Sequence, residues 1–224
     1  ISTGIRNVIV GGLAGDALTD ADFNVAVGHA ALSVDTLGSK SVAVGNGALG
    51  NQNFTTATDT FNTAVGTNAG TAITTGIQNT IVGGLAGDAL TTGGLTAVGY
   101  AAGSAVETGI GNVFVGELAG TSITSNNNTA MGSQALTDCV GGHSNACFGH
   151  DAGRLTTGSR NTCIGNDAGA QATSIDDSVI IGSGAGSTAT MTGHDNVIIG
   201  SSAGSNVTAG RNVIIGKDAG ATAT

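Results

Sequence analysis

Apolar and polar positions follow one short motif that recurs thirteen times along the chain. In each copy three mostly apolar residues precede a Gly, and an Ala stands three residues after that Gly. A polar residue, often Asn, comes before the three apolar residues in every copy but one, which has Leu95. Successive repeat glycines are 16 to 21 residues apart. The repeat glycines are Gly11, Gly28, Gly45, Gly66, Gly83, Gly99, Gly116, Gly132, Gly149, Gly165, Gly182, Gly200 and Gly216, and the alanines are Ala14, Ala31, Ala48, Ala69, Ala86, Ala102, Ala119, Ala135, Ala152, Ala168, Ala185, Ala203 and Ala219. A period this short and regular is typical of a solenoid, with one turn, or rung, per repeat.

The repeat at residues 62–70 illustrates the elements that the pattern predicts. Its residues Thr63, Ala64 and Val65 lie between Asn and Gly, as in a short strand. Successive side chains of a strand point to opposite faces, so this strand is apolar on both faces and should be buried on both. The segment after the turn, such as residues 71–74, alternates apolar and polar residues, which predicts a second strand with one solvated face. We therefore predict an all-β fold, a parallel β-solenoid or β-roll of about 13 rungs of 16–17 residues, with two short strands per rung.

The repeats extend over residues 1–224 and predict a single solenoid segment rather than several globular domains. Rungs in parallel pairing stack at roughly 4.8 Å, which predicts a rod on the order of 60 Å long. The motif is already under way at Asn7 and still intact at Gly220, without the polar caps that solenoids need. We therefore expect a fragment of a longer fibre, with flanking fibre segments as partners.

The doubly apolar strand also predicts a partner of the same kind. A flat two-strand coil covers only one face of its strand, which leaves a continuous apolar stripe on the other. We expect an obligate homo-oligomer, a homotrimer in the leading interpretation, with the strands facing a common axis. Small side chains at that axis would allow close approach, and we expect them at Ala26, Ala43, Ala64, Ala97 and Ala130. The alternative is a monomeric three-sided β-helix that buries all these residues itself, although sixteen residues per turn is short for one.

Composition and charge narrow the possible partners. The chain has 40 glycines and no Pro, but 40% hydrophobic and only 9% charged residues argue against disorder. The net charge of −9, with six single Lys and Arg residues, argues against binding to nucleic acid or to anionic membranes, which require clustered cations. No apolar run is long enough to insert into a membrane, and three cysteines give no disulfide framework.

The repeats at residues 41–45, 62–66 and 196–200 resemble the head-domain repeats of trimeric autotransporter adhesins. The longer form with a trailing Ala-Gly, as at residues 161–169, is similar to repeats of phage tail-fibre proteins. The resemblance implies a left-handed parallel β-roll in which three chains bury the strand that carries the motif. It covers nearly the whole chain and is specific for architecture, whereas members of these families bind different surfaces. The repeats here are longer than those typical of the adhesin heads, and nothing in the chain matches the self-cleaving chaperone domain at the C-terminus of many tail fibres.

Metal-binding residue types are concentrated in one stretch, at Cys139, His143, Cys147 and His150. In a trimer each would occur three times around the axis, as in metal-binding histidine rings. The spacing matches no standard zinc pattern, however, and Cys147 occupies a position that is apolar in every repeat. We expect buried cysteines, exposed turn histidines and no resident metal or other cofactor. Cys147 and Cys163 should stack in successive rungs as two free thiols.

The 21-residue repeat between Gly45 and Gly66 contains the one long loop that the spacing predicts. Its residues Asn51, Asn53, Phe54 and Asp59 could contact a glycan, because exposed loops with an aromatic ring and amides often bind ligands. A tolerated insertion explains the loop equally well. Five aspartates in or beside the turns do not form a repeated calcium-binding pattern, and we expect them to be solvated; they are Asp16, Asp88, Asp151, Asp167 and Asp218.

No nucleophile with a matching base, no phosphate loop and no His-Glu constellation stands out, so we do not expect an enzyme. The leading hypothesis is a structural shaft or head segment of a trimeric surface or phage tail fibre that attaches to cells, outside the cell or on a virion. The alternative is an adhesin domain that itself binds a host glycan, matrix or protein receptor. An ice-binding solenoid is a third hypothesis, but the threonine ladder it needs is interrupted by Val and Ala.

Overall fold

The computed structural model describes residues 2–187 and 191–220, and within them the chain is all-β and contains no helix. It forms a parallel β-solenoid of about 12 turns. Two compact units are present; the first extends to Asn112 and the second begins at Val113. None of the described residues forms a helix that could span a bilayer.

The strands are short, and most of them occupy the three positions before a repeat glycine. Their bounds are Val8–Val10 (β1), Val25–Val27 (β2), Gly38–Ser39 (β3), Val42–Val44 (β4), Thr58–Asp59 (β5), Thr63–Val65 (β6), Thr80–Val82 (β7), Leu95–Val98 (β8), Asn112–Val115 (β9), Thr129–Met131 (β10), Ala146–Phe148 (β11), Thr162–Ile164 (β12), Val179–Ile181 (β13), Val197–Ile199 (β14) and Val213–Ile215 (β15). In the first unit β1, β2, β4, β6, β7 and β8 pair in that order, all in parallel. In the second unit β9 to β15 pair consecutively, also in parallel.

The prediction of two strands per rung was wrong. Residues 71–74 and 104–107, which alternate as a strand would, form turns and irregular backbone instead. A second pairing occurs between β3 and β5, beside the long repeat. The reason lies in the backbone: residues of positive φ follow the repeat glycine at short intervals, so the chain bends too often to extend a second strand.

The repeat glycine ends each strand in a conformation that requires glycine. Gly66 has φ +139°, and a Cβ there would lie 2.4 Å from the carbonyl oxygen of Gly83 in the next rung. The Gly83 amide in turn donates to the Val65 carbonyl at 2.8 Å. Glycines therefore stack backbone against backbone, which explains why this position never varies within the repeat.

The conserved spacing between Gly and Ala has an equally local cause. The Ala31 amide donates to the Gly28 carbonyl at 3.4 Å, which closes a tight turn around a residue of φ +54°, Ala30. The methyl group of Ala31 then points into the coil and is fully buried. A larger side chain would not fit between stacked turns at the rung spacing.

Each three-residue strand turns its middle side chain inward and its two flanking side chains outward. The predicted location of the small alanines at an intermolecular axis was therefore wrong. Ala26, Ala43, Ala64, Ala97 and Ala130 are fully buried inside their own coil. With one inward and two outward positions, each strand buries its middle residue, which is Ala in these rungs and a larger residue such as Ile81 or Phe114 in others.

A column of polar side chains, which we call the asparagine ladder, also lies inside the coil. Asn145 donates through Nδ2 to the Gly158 carbonyl at 2.9 Å, and its Oδ1 accepts the Asn161 amide at 3.0 Å. Asn24 makes the same two bonds, to the Gly38 carbonyl and from the Ser41 amide. Each ladder side chain thus satisfies backbone groups that the short strands leave unpaired, as buried polar groups require.

Candidate functional site

The outward-pointing pairs of the strands form a surface that we call the outer face. In the first unit it consists of Val8 and Val10, Val25 and Val27, Val42 and Val44, Thr63 and Val65, Thr80 and Val82, and Thr96 and Val98. Every one of these side chains is half-buried or exposed in the single chain. None is charged, so this side of the sheet presents no group that water hydrates strongly.

The outer face of the second unit has the same character but larger side chains. Its pairs are Val113 and Val115, Thr129 and Met131, Ala146 and Phe148, Thr162 and Ile164, Val179 and Ile181, Val197 and Ile199, and Val213 and Ile215. Met131 is 42% exposed, Phe148 is 37% exposed and Ile164 is 39% exposed, which are high values for large apolar residues in three consecutive strands. Contiguous apolar surface of this kind marks an interaction site.

The predicted binding loop does not present its aromatic ring. Phe54 is only 7% exposed, and its amide donates to a buried carboxylate oxygen of Asp35 at 2.9 Å. Asp59 lies at the surface but pairs with Lys40, whose Nζ is 2.5 Å away. The interpretation of Phe54 as a contact residue for a glycan was therefore wrong, because the loop folds inward to complete the core. Asn51 is exposed and Asn53 half-buried, so the amides are the accessible part.

The long repeat closes instead over a buried polar network. Gln52 donates through Nε2 to Asp35 Oδ2 at 2.5 Å and to Ser41 Oγ at 2.9 Å, and its Oε1 accepts from Asn62 Nδ2 at 2.8 Å. The other carboxylate oxygen of Asp35 accepts two backbone amides, those of Gly38 and Phe54. All of these side chains are fully buried, and their donors and acceptors satisfy one another, which indicates a structural role.

The structure separates the two residue types of the predicted cysteine–histidine cluster. Cys139 and Cys147 are buried free thiols, and His143 and His150 are exposed. Burial raises the pKa of the Cys139 thiol to about 12. A hydrogen bond with Cys163 together with burial holds the pKa of Cys147 well above its ordinary value. The thiols lie inside the coil and the two imidazoles lie at its surface, so the four residues do not make one site.

A different group of metal-binding side chains converges at the surface of the second unit. His150, Asp151 and Asp167 each offer a ligand atom, and these three atoms lie within 4.8 Å of one another. Sequence reasoning singled out His150 as a metal-binding residue type but assigned Asp151 and Asp167 to solvated turns and did not group them with it. The available signal was positional, because Asp151 and Asp167 both stand two residues after a repeat glycine in consecutive rungs.

The chain matches no protein-family model. Among curated proteins and among solved structures, no match was found either. The resemblance to adhesin heads and tail-fibre repeats therefore stays a prediction.

Proposed function

We propose that this chain is a structural segment of a homotrimeric surface or phage tail fibre, in which three copies pack their outer faces around a common axis. In this arrangement the segment holds an attachment tip away from a cell or virion, on the extracellular side. The single observation that carries the proposal is the uncharged outer face of each unit, which remains solvent-exposed in one chain.

Burial of the outer face has a favourable energetic consequence. Removing apolar surface from water contributes roughly 25 cal/mol per Å², so side chains such as Val65 and Ile164 would each add about 1 kcal/mol or more on packing. The repetition of the same pair in every strand would let this small gain add up along the sheet. A self-complementary stripe also favours identical partners, because the repeat spacing of one copy matches that of the next.

The distribution of charge supports the same orientation. The chain has a net charge of −9, yet no charged residue lies on the outer face. Charged residues such as Asp59, Arg160 and Asp177 instead lie at exposed positions away from the strands' outward pairs or in turns. Packing around an axis would therefore bury uncharged side chains and leave the acidic turns in solvent, which keeps a fibre soluble.

The test is the native mass of the purified chain, measured by light scattering in reductant at low micromolar concentration. We expect about three times the chain mass of 21.3 kDa. A folded, soluble monomer would overturn the proposal, and an assay of ice growth would then follow, because a flat exposed Val and Thr face in a monomer is a different kind of site. Binding of a mass-confirmed trimer to intact cells, with no tip attached, would assign the adhesive role to this segment itself.

A further inference from the structure

The cluster of His150, Asp151 and Asp167 arises directly from the stacking of two turns. His150 and Asp151 follow β11, and Asp167 occupies the corresponding turn after β12. The Asp167 amide donates to the His150 carbonyl at 2.9 Å, which fixes the two turns against each other. Asp151 and Asp167 share the same left-handed backbone conformation, each with φ +55°. The two residues therefore occupy equivalent backbone positions in consecutive rungs, which stack roughly 4.8 Å apart.

Two like charges in this position repel each other unless a cation lies between them. Among the described lysines and arginines, Arg154 contacts this pair: its Nε is 3.7 Å from Asp151 Oδ1, and its Nη1 is 3.8 Å from Asp138. Oδ1 of Asp151 is inaccessible to solvent and has no hydrogen-bond partner. Within residues 2–187 and 191–220, the carboxylate of Asp167 makes neither a hydrogen bond nor an ion pair with another side chain.

The imidazole of His150 supplies the second type of donor. Its Nδ1 lies 3.4 Å from Asp151 Oδ2 and 3.4 Å from Nδ2 of Asn166. The same Nδ2 lies 3.4 Å from the His150 carbonyl oxygen. The site thus combines one ring nitrogen with two carboxylate oxygens.

We propose that His150, Asp151 and Asp167 bind a divalent transition-metal ion, with Zn²⁺ as the preferred occupant. A single imidazole with two carboxylates suits Zn²⁺ or Mn²⁺, whereas Ca²⁺ and Mg²⁺ prefer oxygen ligands alone. The ion neutralises the stacked carboxylates and ties two successive turns together. This site does not depend on trimer formation, because its three ligands belong to one chain and lie away from the outer face.

The chain contains its own control site. His29 is exposed and stands directly after a repeat glycine, as His150 does, but Ala30 follows it and the next turn carries Gly47 at the place of Asp167. This histidine therefore has the same backbone setting without either carboxylate. Binding that requires the cluster must distinguish His150 from His29.

The experiment is calorimetric titration of the full chain with ZnCl₂ in a non-chelating buffer with a phosphine reductant. The test variants are His150→Asn and Asp167→Asn, and Asn46 and Asn68 show that the repeat accepts Asn at both places. The control is His29→Asn. Circular dichroism of each variant verifies that the fold is retained.

We expect one Zn²⁺ per wild-type chain, with affinity reduced about tenfold or more in each test variant and unchanged in the control. Titration with Co²⁺ should give a visible absorption band that the same two variants lose. The proposal is overturned if the wild type binds no Zn²⁺ at millimolar concentration, or if binding survives both test variants. An equal loss in His29→Asn would overturn it as well, since binding would then be a property of exposed histidines in general.

Discussion

Three rungs fill their interior differently from the others. Leu32, Leu49 and Leu136 stand four residues after the repeat glycine, where the other described rungs have a glycine. All three leucines are fully buried. In each of these rungs the inward residue of the strand is Ala, and the residue three positions after the leucine is not a large aliphatic one but Asp35, Gln52 or Cys139.

A rung of the other type shows why these positions depend on one another. Ile81 is the inward residue of β7, Gly87 follows in the turn, and Leu90 fills the remaining space. A Cβ at Gly87 would lie 3.0 Å from Cδ1 of Ile81, so a leucine does not fit there. The comparison teaches that a leucine in the turn requires a small inward residue in the strand of the same rung, as close packing requires.

The leucines also adopt an unfavourable backbone. Leu32, Leu49 and Leu136 have φ between +48° and +51°, which costs an L-residue roughly 1–2 kcal/mol. Full burial of a leucine side chain contributes about 1.5–3 kcal/mol and so offsets that cost. Variants at buried positions of both kinds of rung test these packing relations, beginning with the largest expected effect.

Asp35→Leu should destabilise the protein most. It places a leucine three residues after Leu32, at the position where a rung with glycine in its turn carries an aliphatic residue such as Leu90. The change removes the acceptor for Gln52 and for the backbone amides of Gly38 and Phe54, which then remain buried without a partner. We expect a loss of about 3–5 kcal/mol in the free energy of unfolding, measured by urea titration. Asp16→Leu, on an exposed aspartate, is the control and should change little. A neutral Asp35→Leu would show that the polar network is dispensable.

Leu136→Gly should cost about 2–4 kcal/mol, since the cavity it leaves outweighs the relief of backbone strain. Ala130→Ile alone overpacks the same interior and should cost about 1–3 kcal/mol. The double variant reproduces the combination seen at Ile81 and Gly87 and should be more stable than the sum of the single effects by at least 1 kcal/mol. Strict additivity in this cycle would refute the idea that the two positions share one volume.

Cys139 makes the second unit sensitive to alkaline pH. Its pKa is raised to about 12 from the usual 9.0, so above pH 9 the unfolded chain releases a proton that the folded chain keeps. Cys139 should therefore leave stability unaffected below pH 9 and lower it as pH rises toward 12, by about 1.4 kcal/mol at pH 10, and the raised pKa of Cys147 adds to this loss. Urea titrations at pH 8 and pH 10 measure this loss. Cys139→Val should reduce it, and an identical loss in that variant would exclude Cys139 as the cause.

Cys163→Ala should have the smallest effect, about 1 kcal/mol. Ala64 and Ala97 occupy the same inward place in rungs that also have glycine in the turn, so the repeat already accepts this combination. Urea titration in reductant checks the value. A loss above 3 kcal/mol would mean that the contact between Cys147 and Cys163 stabilises the fold far more than ordinary packing of a small side chain does.

The sequence was sufficient to predict the period, the parallel strands and the invariant glycines, because stacking imposes the same backbone constraint on every repeat. It did not reveal which residues of the strand face inward. The first position carries Val, Thr or Ala, the middle one Ala, Ile, Cys or Phe, and the last Val, Ile, Met or Phe, so hydrophobicity does not separate them. Only the closure of the coil around residues such as Ala64 or Ala130 decides the orientation. The leucines in these turns are visible in the sequence as departures from the repeat. Their structural role depends on packing between a turn and a strand, which the sequence alone does not show.

The candidate sites show the same limit. Phe54 appeared to lie in an exposed loop because the buried acceptor of its amide, Asp35, is 19 residues away in sequence. His150 was recognised as a metal-binding residue type, but spacing along the chain grouped it with cysteines rather than with Asp167 in the next rung. In a solenoid, residues at the same position of successive repeats lie close together in space. Comparing those positions is therefore more informative than searching for motifs along the chain.

The most direct test of the outer face as the surface between copies is the sedimentation equilibrium mass of Ile164→Asp beside that of Thr124→Asp. Both variants add one negative charge to the second unit, at an outer-face position and at an exposed position off the strands, respectively. We predict that Ile164→Asp dissociates to folded monomers, since burying a charge between copies is strongly unfavourable, whereas Thr124→Asp keeps the mass of three chains. Equal masses for the two variants, whether monomer or trimer, would contradict the assignment of the outer face as the surface that joins the copies.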